Sequence, residues 1–174
     1  MTECCHEPKP IDIDRMLSNM TSSRRTRTLA GDALSELVVH VFRLNGLLVS
    51  TGDSLAQPAG QTSARWRVLA TVDDGPSTVA QIARSWGLAR QSVQRVADVL
   101  VEERYCLYEE NPGHRRAQHL RITPQGRRAL RAIQAAQRTW ADALGADIGE
   151  ADLRKANAVL ARAIRAVASH RPGG

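Results

Sequence analysis

Two groups of side chains in this sequence have types and spacing suited to chemistry. The first is Arg90, Gln91, Ser92, Gln94 and Arg95, clustered at the start of a stretch with helical periodicity. The second is His114, Arg115 and Arg116, which follow the turn formers Asn111, Pro112 and Gly113. Arg can donate two bonds to guanine, and Gln can pair with adenine through one donor and one acceptor. Arg, Ser and protonated His also donate to phosphate oxygens. The chemistry these residues suit is recognition of a nucleic-acid duplex. For any one of them a solvated helix face is the plain alternative; for the two groups together the duplex reading is stronger.

Local sequence sets out the elements that must position them. Tyr105–Glu110 and Ala117–Thr123 are strand-like runs on either side of the turn, so a β-hairpin carries the triplet at its tip. Upstream, Thr78 is placed to cap a short helix whose Val79, Ile82, Ala83 and Trp86 face a core, and Gly87 is placed to end it. The next helix buries Val93, Val96, Ala97 and Leu100 and offers Gln91, Gln94, Arg95 and Asp98 on its other face. Helix, Gly-containing turn, helix and hairpin make a winged helix-turn-helix. That topology sends the second helix into the major groove and the wing to phosphates or the neighbouring minor groove.

The flanks are helical. Leu34, Leu37, Val38, Val41, Phe42, Leu44 and Leu48 recur at three- and four-residue spacing and predict a helix over 29–50, with a loop over 51–61. A further helix is expected from Ser63 to Val72, with Trp66, Leu69 and Val72 facing in. Thr123-Pro124 is a strong helix start. That helix continues through Leu130, Ile133, Gln137, Trp140 and Leu144 until GADIGEAD breaks it. A last helix carries Leu153, Ala156, Leu160, Ala163 and Val167 in a coiled-coil-like seam. These long amphipathic helices have no obvious burial partner within one chain. A symmetric dimer would bury them and set two reading helices about 34 Å apart on an imperfect palindrome. The expected organisation is a flexible arm over 1–28, a dimerisation helix and loop over 29–61, the DNA-binding module over 62–123, dimerisation helices over 124–170 and a tail over 171–174. The fold class is mainly α with a small β-hairpin wing.

Charge follows the same plan. The 174-residue chain carries a net +6. Residues 84–131 hold 10 basic and 5 acidic side chains, so most of the excess lies on the reader. No uninterrupted apolar run approaches the roughly 20 residues of a membrane span. The stretch LVVHVFRLNGLLVS is broken by His40, Arg43 and Asn45, and the N-terminus lacks a signal-peptide core. Cytoplasmic residence is expected. Three cysteines form no disulfide framework. Cys4 and Cys5 lie in the arm and Cys106 in the first wing strand, where it is expected to be semi-buried. Cys4, Cys5 and His6 are adjacent ligand types without a recognisable fourth, so no metal or cofactor is expected. The five histidines lack catalytic motif partners, and no phosphate loop, nucleophile elbow or zinc-protease signature is present, so no enzyme is expected. Two alternatives stay open: a winged-helix module turned to protein partners without DNA, and a thiol-based redox-sensing regulator.

The wing region resembles the multiple-antibiotic-resistance regulator (MarR) family of transcriptional regulators, over about residues 29–170. The family signature is Asp, any residue, Arg, five residues, Leu-Thr, two residues and Gly. Here His114, Arg115 and Arg116 are followed, five residues later, by Ile122, Thr123, two residues and Gly126. The spacing is complete; His114 replaces the Asp that helps hold the wing Arg, and Ile122 replaces Leu. Ala89 stands where Ser or Thr often caps the reading helix. The resemblance implies Arg116 in the minor groove, Arg115 at phosphate, and Gln91, Ser92, Gln94 and Arg95 at the major groove, with Arg90 near the first turn. It further implies a homodimeric repressor released by a small aromatic or phenolic effector. His40, Phe42 and Trp66 are the candidate effector-pocket residues, with ordinary core packing as the alternative for the aromatics.

Overall fold

A computed structural model of the chain describes residues 28–113 and 117–170. The described residues fall into two compact units that meet in sequence between Thr51 and Gly52. The first consists of most of one long helix, α1 (Leu29–Ala56), which runs across the boundary. Along α1, Asp32, Glu36, His40 and Arg43 form a polar stripe three and four residues apart, and Leu34, Val38, Val41 and Leu48 occupy other faces. By length and composition alone, α1 and the turn after it would suffice to cross a membrane, which the interrupted apolar run did not suggest.

The second unit begins with the end of α1 and a 3-10 turn, Gln57–Ala59, closed by Gly60 in the left-handed region. A loop was expected from residue 51, yet the helix continues to Ala56. The reason is tertiary. A Cβ at Gly52 would stand 2.9 Å from the Ser63 Cβ, so glycine permits a close approach there. Asp53 Oδ1 also accepts from the Ser63 amide at 2.7 Å. These contacts outweigh the poor helix propensity of Gly52, a cost of about 1 kcal/mol.

Then follow α2 (Ser63–Asp73), β1 (Ser77–Thr78), α3 (Val79–Trp86), α4 (Arg90–Glu102), β2 (Cys106–Glu109), β3 (His119–Ile122), α5 (Pro124–Ile148) and α6 (Glu150–Ser169). The strands make an antiparallel sheet in the order β1-β3-β2, with Ser77 opposite Leu120 and Tyr108 opposite Leu120 on its other side. The winged helix-turn-helix is therefore present, mainly helical with a small sheet. β1 was not foreseen, because two residues show no alternation. Thr78 ends it and also caps α3: Thr78 Oγ1 accepts from the Gln81 amide at 3.2 Å, and Gln81 Oε1 accepts from the Thr78 amide at 2.7 Å. Gly87, at φ 64°, ends α3 as its sequence position predicts.

One core unites α2 to α5 and the sheet. Leu69 and Val72 of α2, Ile82 of α3, Val93, Ala97 and Leu100 of α4, Cys106 and Leu120 of the sheet and Leu130 of α5 are all buried together. Trp86 was expected among them but stands 46% exposed. Its indole Nε1 donates to Thr71 Oγ1 at 2.9 Å, and the Arg67 guanidinium carbon lies 6.0 Å from the ring centroid, so it spans the outer side of α2. Between α5 and α6 the break is narrower than GADIGEAD implied. Gly149 alone, at φ 90°, turns the chain. Glu150 and Asp152 in the first turn of α6 complement its helix dipole.

Candidate nucleic-acid interface

The helix expected to read DNA is α4, and its two faces are chemically distinct. Val93, Ala97 and Leu100 lock one face into the core. Arg90, Gln91, Ser92 and Arg95 are exposed on the other. Among the described residues, Arg90 and Arg95 form no ion pair, whereas Arg121 pairs with Glu109 at 2.7 Å and Arg127 with Asp73 at 3.1 Å. No side chain caps the start of α4; the Ala89 carbonyl accepts from the Ser92 and Val93 amides at 3.1 and 3.2 Å. The first turn of α4 thus starts without a side-chain acceptor, beside the exposed Arg90.

Gln94 differs from its neighbours. It is partly buried, and its Nε2 donates to Asp98 Oδ1 and to Tyr108 Oη, each at 2.8 Å. The Tyr108 hydroxyl donates in turn to Asp98 Oδ1 at 2.8 Å. Burial pushes the Tyr108 phenol well above its usual range, the hydrogen bond and negative charge of Asp98 push it further, and the Gln94 contact opposes them. The phenol therefore stays protonated and keeps donating. Thr78, Arg90, Gln94, Asp98, Tyr108 and Gln118 are among the residues lining a cleft of about 290 Å³ between α4 and the sheet. The Gln94–Asp98 pair was legible as an i,i+4 spacing. The role of Tyr108 was not, because only strand pairing brings it to α4.

The wing is fastened to the end of α4 by its signature residues. Thr123 Oγ1 donates to the Arg104 carbonyl at 2.8 Å and accepts from the Gly126 amide at 3.1 Å, while the Thr123 amide donates to the Tyr105 carbonyl at 3.0 Å. A Cβ at Gly126 would lie 2.2 Å from the Tyr105 carbonyl oxygen, so only glycine fits that approach. Ile122 is buried, which explains why it can replace Leu. Arg65 of α2 holds both Glu103 carboxylate oxygens at 2.9 and 2.8 Å, bracing the same corner. The three wing-tip candidates, His114, Arg115 and Arg116, lie outside the described residues.

The effector candidates are distributed over both compact units. His40 is exposed on α1, with its Nε2 3.6 Å from Glu36 Oε1, and Phe42 is 72% exposed. Trp66, in the second unit, is partly buried against the core. Cys106 is fully buried rather than semi-buried, and burial raises its thiol to about 12. A thiol held protonated and shielded is a poor redox sensor. Cys4, Cys5 and His6 lie outside the described residues. Among the described residues, no group of three His, Cys, Asp or Glu side chains is placed to hold a metal.

Comparison with known proteins places this architecture. Residues 59–117, which span α2 to β2, match the model of the MarR family. An uncharacterized protein of Mycobacterium tuberculosis is 39% identical over 141 residues, covering 81% of this chain and 99% of its own. The chain belongs to the MarR family. Among solved structures, a MarR family transcription regulator superposes with a TM-score of 0.69 at 19% identity, covering 80% of this chain and 95% of that one. The transcriptional repressor CouR, bound to a 23-mer DNA duplex, superposes with a TM-score of 0.64 at 21% identity, covering 80% and 99%. At these identities the MarR structures speak for the fold alone. In this chain the Thr123–Gly126 corner joins the wing to the segment just after α4.

Proposed function

We propose that the protein is a cytoplasmic, homodimeric, sequence-specific DNA-binding regulator that represses transcription and is released by a small-molecule effector, with no catalytic step of its own. The observation that carries the reading is α4. Its apolar face is anchored in the core, while Arg90, Gln91, Ser92 and Arg95 stand exposed beside the wing. The DNA complex of CouR, which shares this fold, supports the same use of the helix. In this reading phosphate contacts supply most of the affinity and base contacts by α4 the sequence preference. Arg115 and Arg116 would serve phosphate and minor groove, and His114 would add a donor at the same tip.

Exposed apolar side chains support the dimer. Phe42, Leu47 and Leu48 on α1, and Ile164 and Val167 on α6, are each 46–72% exposed in the single chain. A two-fold partner would cover such faces and double the reader. The effector would be aromatic or phenolic, with His40, Phe42 and Trp66 as the side chains to test.

The experiment is a fluorescence-anisotropy titration against duplex from upstream of the protein's own gene, beside a scrambled duplex and a salt series. Selective, saturable binding that weakens steeply with salt is expected. Arg116→Ala should weaken binding to every duplex. Arg95→Ala should change base preference by about 1–3 kcal/mol. Absence of binding to any duplex at low salt would sink the assignment, and an Arg116→Ala protein with unchanged affinity would remove the wing from it. Light scattering tests the dimer, and competition with phenolic compounds tests release.

A further inference from the structure

Among the described candidate residues, Gln94 is the one whose side chain is already held by hydrogen bonds. Asp98 and Tyr108 also define which way round its amide sits. A carboxylate only accepts, so the group 2.8 Å from Asp98 Oδ1 must be the Gln94 nitrogen. The Tyr108 hydroxyl gives its single hydrogen to Asp98 and is left to accept the other Gln94 hydrogen. A side-chain amide has two hydrogens, so both are in use within the protein.

The consequence concerns base recognition. Reading adenine in the bidentate way needs a free amide hydrogen for N7 as well as the carbonyl oxygen for N6. With both hydrogens engaged, Gln94 retains only Oε1, an acceptor. An acceptor alone matches an exocyclic amino group, which adenine and cytosine present in the major groove. Guanine and thymine present acceptors at that place and repel it. We propose that Asp98 and Tyr108 are specificity-positioning residues that turn Gln94 into a carbonyl-only reader, selecting adenine or cytosine together against guanine and thymine at one operator position.

This inference rests on the proposed DNA-reading role of α4, and the test separates the two. The full chain and its Gln94→Ala, Tyr108→Phe and Asp98→Ala variants are each used to select duplexes from a randomised library, which are then sequenced. Gln94→Ala identifies the position concerned as the one whose preference flattens. The parent protein should enrich adenine and cytosine there to similar degrees. Tyr108→Phe removes one acceptor and frees a hydrogen for N7, so it should favour adenine over cytosine by about fivefold or more. Asp98→Ala removes the other acceptor and should narrow the preference the same way, which guards against a folding defect in either variant. Adenine alone in the parent, or no narrowing in the variants that fold, overturns the positioning role and leaves DNA reading intact. No enriched sequence with the parent protein overturns both.

Discussion

Gly126→Ala is the most direct probe of how the wing is built. The added methyl would stand 2.2 Å from the Tyr105 carbonyl oxygen and 2.7 Å from Ile122 Cγ1, where ordinary contact begins near 3.4 Å. The start of α5 and the end of α4 must then part by about 1 Å, because neither a backbone carbonyl nor a buried Ile side chain can swing away. Overpacking of this kind costs about 1–3 kcal/mol. The separation also stretches the Thr123 amide bond to Tyr105, now 3.0 Å, and the Thr123 cap on the Gly126 amide, now 3.1 Å, each worth about 1 kcal/mol. Alanine returns about 1 kcal/mol in helix propensity. The net loss is about 2–4 kcal/mol, which lowers the urea midpoint by roughly 1–2 M for a slope near 2 kcal/mol per molar. Circular dichroism at matched protomer concentration measures it, since any dimer makes stability concentration-dependent. A midpoint equal to or above the parent's would refute the close approach and the reason given for glycine in the signature.

Other outcomes follow from the same corner and the core. Ala89→Ser supplies the missing cap on α4 and should raise stability by about 0.5–1 kcal/mol in urea unfolding; no gain would mean that the hydroxyl does not reach the Gln91 or Ser92 amide. Arg104, a non-glycine residue at φ 62°, sits just past α4, so Arg104→Gly should stabilise by about 0.5–1 kcal/mol, and a loss would show that its side chain matters more than its backbone. The Cys106 thiol titrates at 9.0 when unperturbed and about 12 in the fold, so the native state holds a proton that the unfolded chain releases. Its contribution is whole below pH 9 and is lost as pH rises toward 12, by at most about 1.4 kcal/mol per pH unit. Cys106→Ala should flatten the decline of the urea midpoint between pH 9 and 10.5, and an unchanged slope would show that the thiol is not the group responsible.

Much of the scaffold was legible in the residues themselves. Thr78, Gly87 and Thr123-Pro124 act on their own backbone within a few positions, so capping chemistry placed helix ends without knowledge of the fold. The α4 core stripe and the exposed Arg90, Gln91, Ser92 and Arg95 followed from helical period. What sequence could not supply were contacts between residues distant along the chain. Gly52 reads as a loop former until Ser63 is packed against it. Trp86 reads as core until Thr71 and Arg67 draw its indole across α2.

The candidate site divides in the same way. Sequence alone determined which residue types stand at the head of α4, where the excess charge lies, and that the wing signature is complete but for His114 and Ile122. Tertiary structure decided which side chains are free to use their donors. Strand β2 delivers Tyr108 to the side of α4, and its hydroxyl changes Gln94 from an open amide into one with both hydrogens engaged. Helical period depends on the local backbone, so it can be read from spacing. A hydrogen-bond inventory depends on every group within about 3 Å, and only the folded chain defines that set.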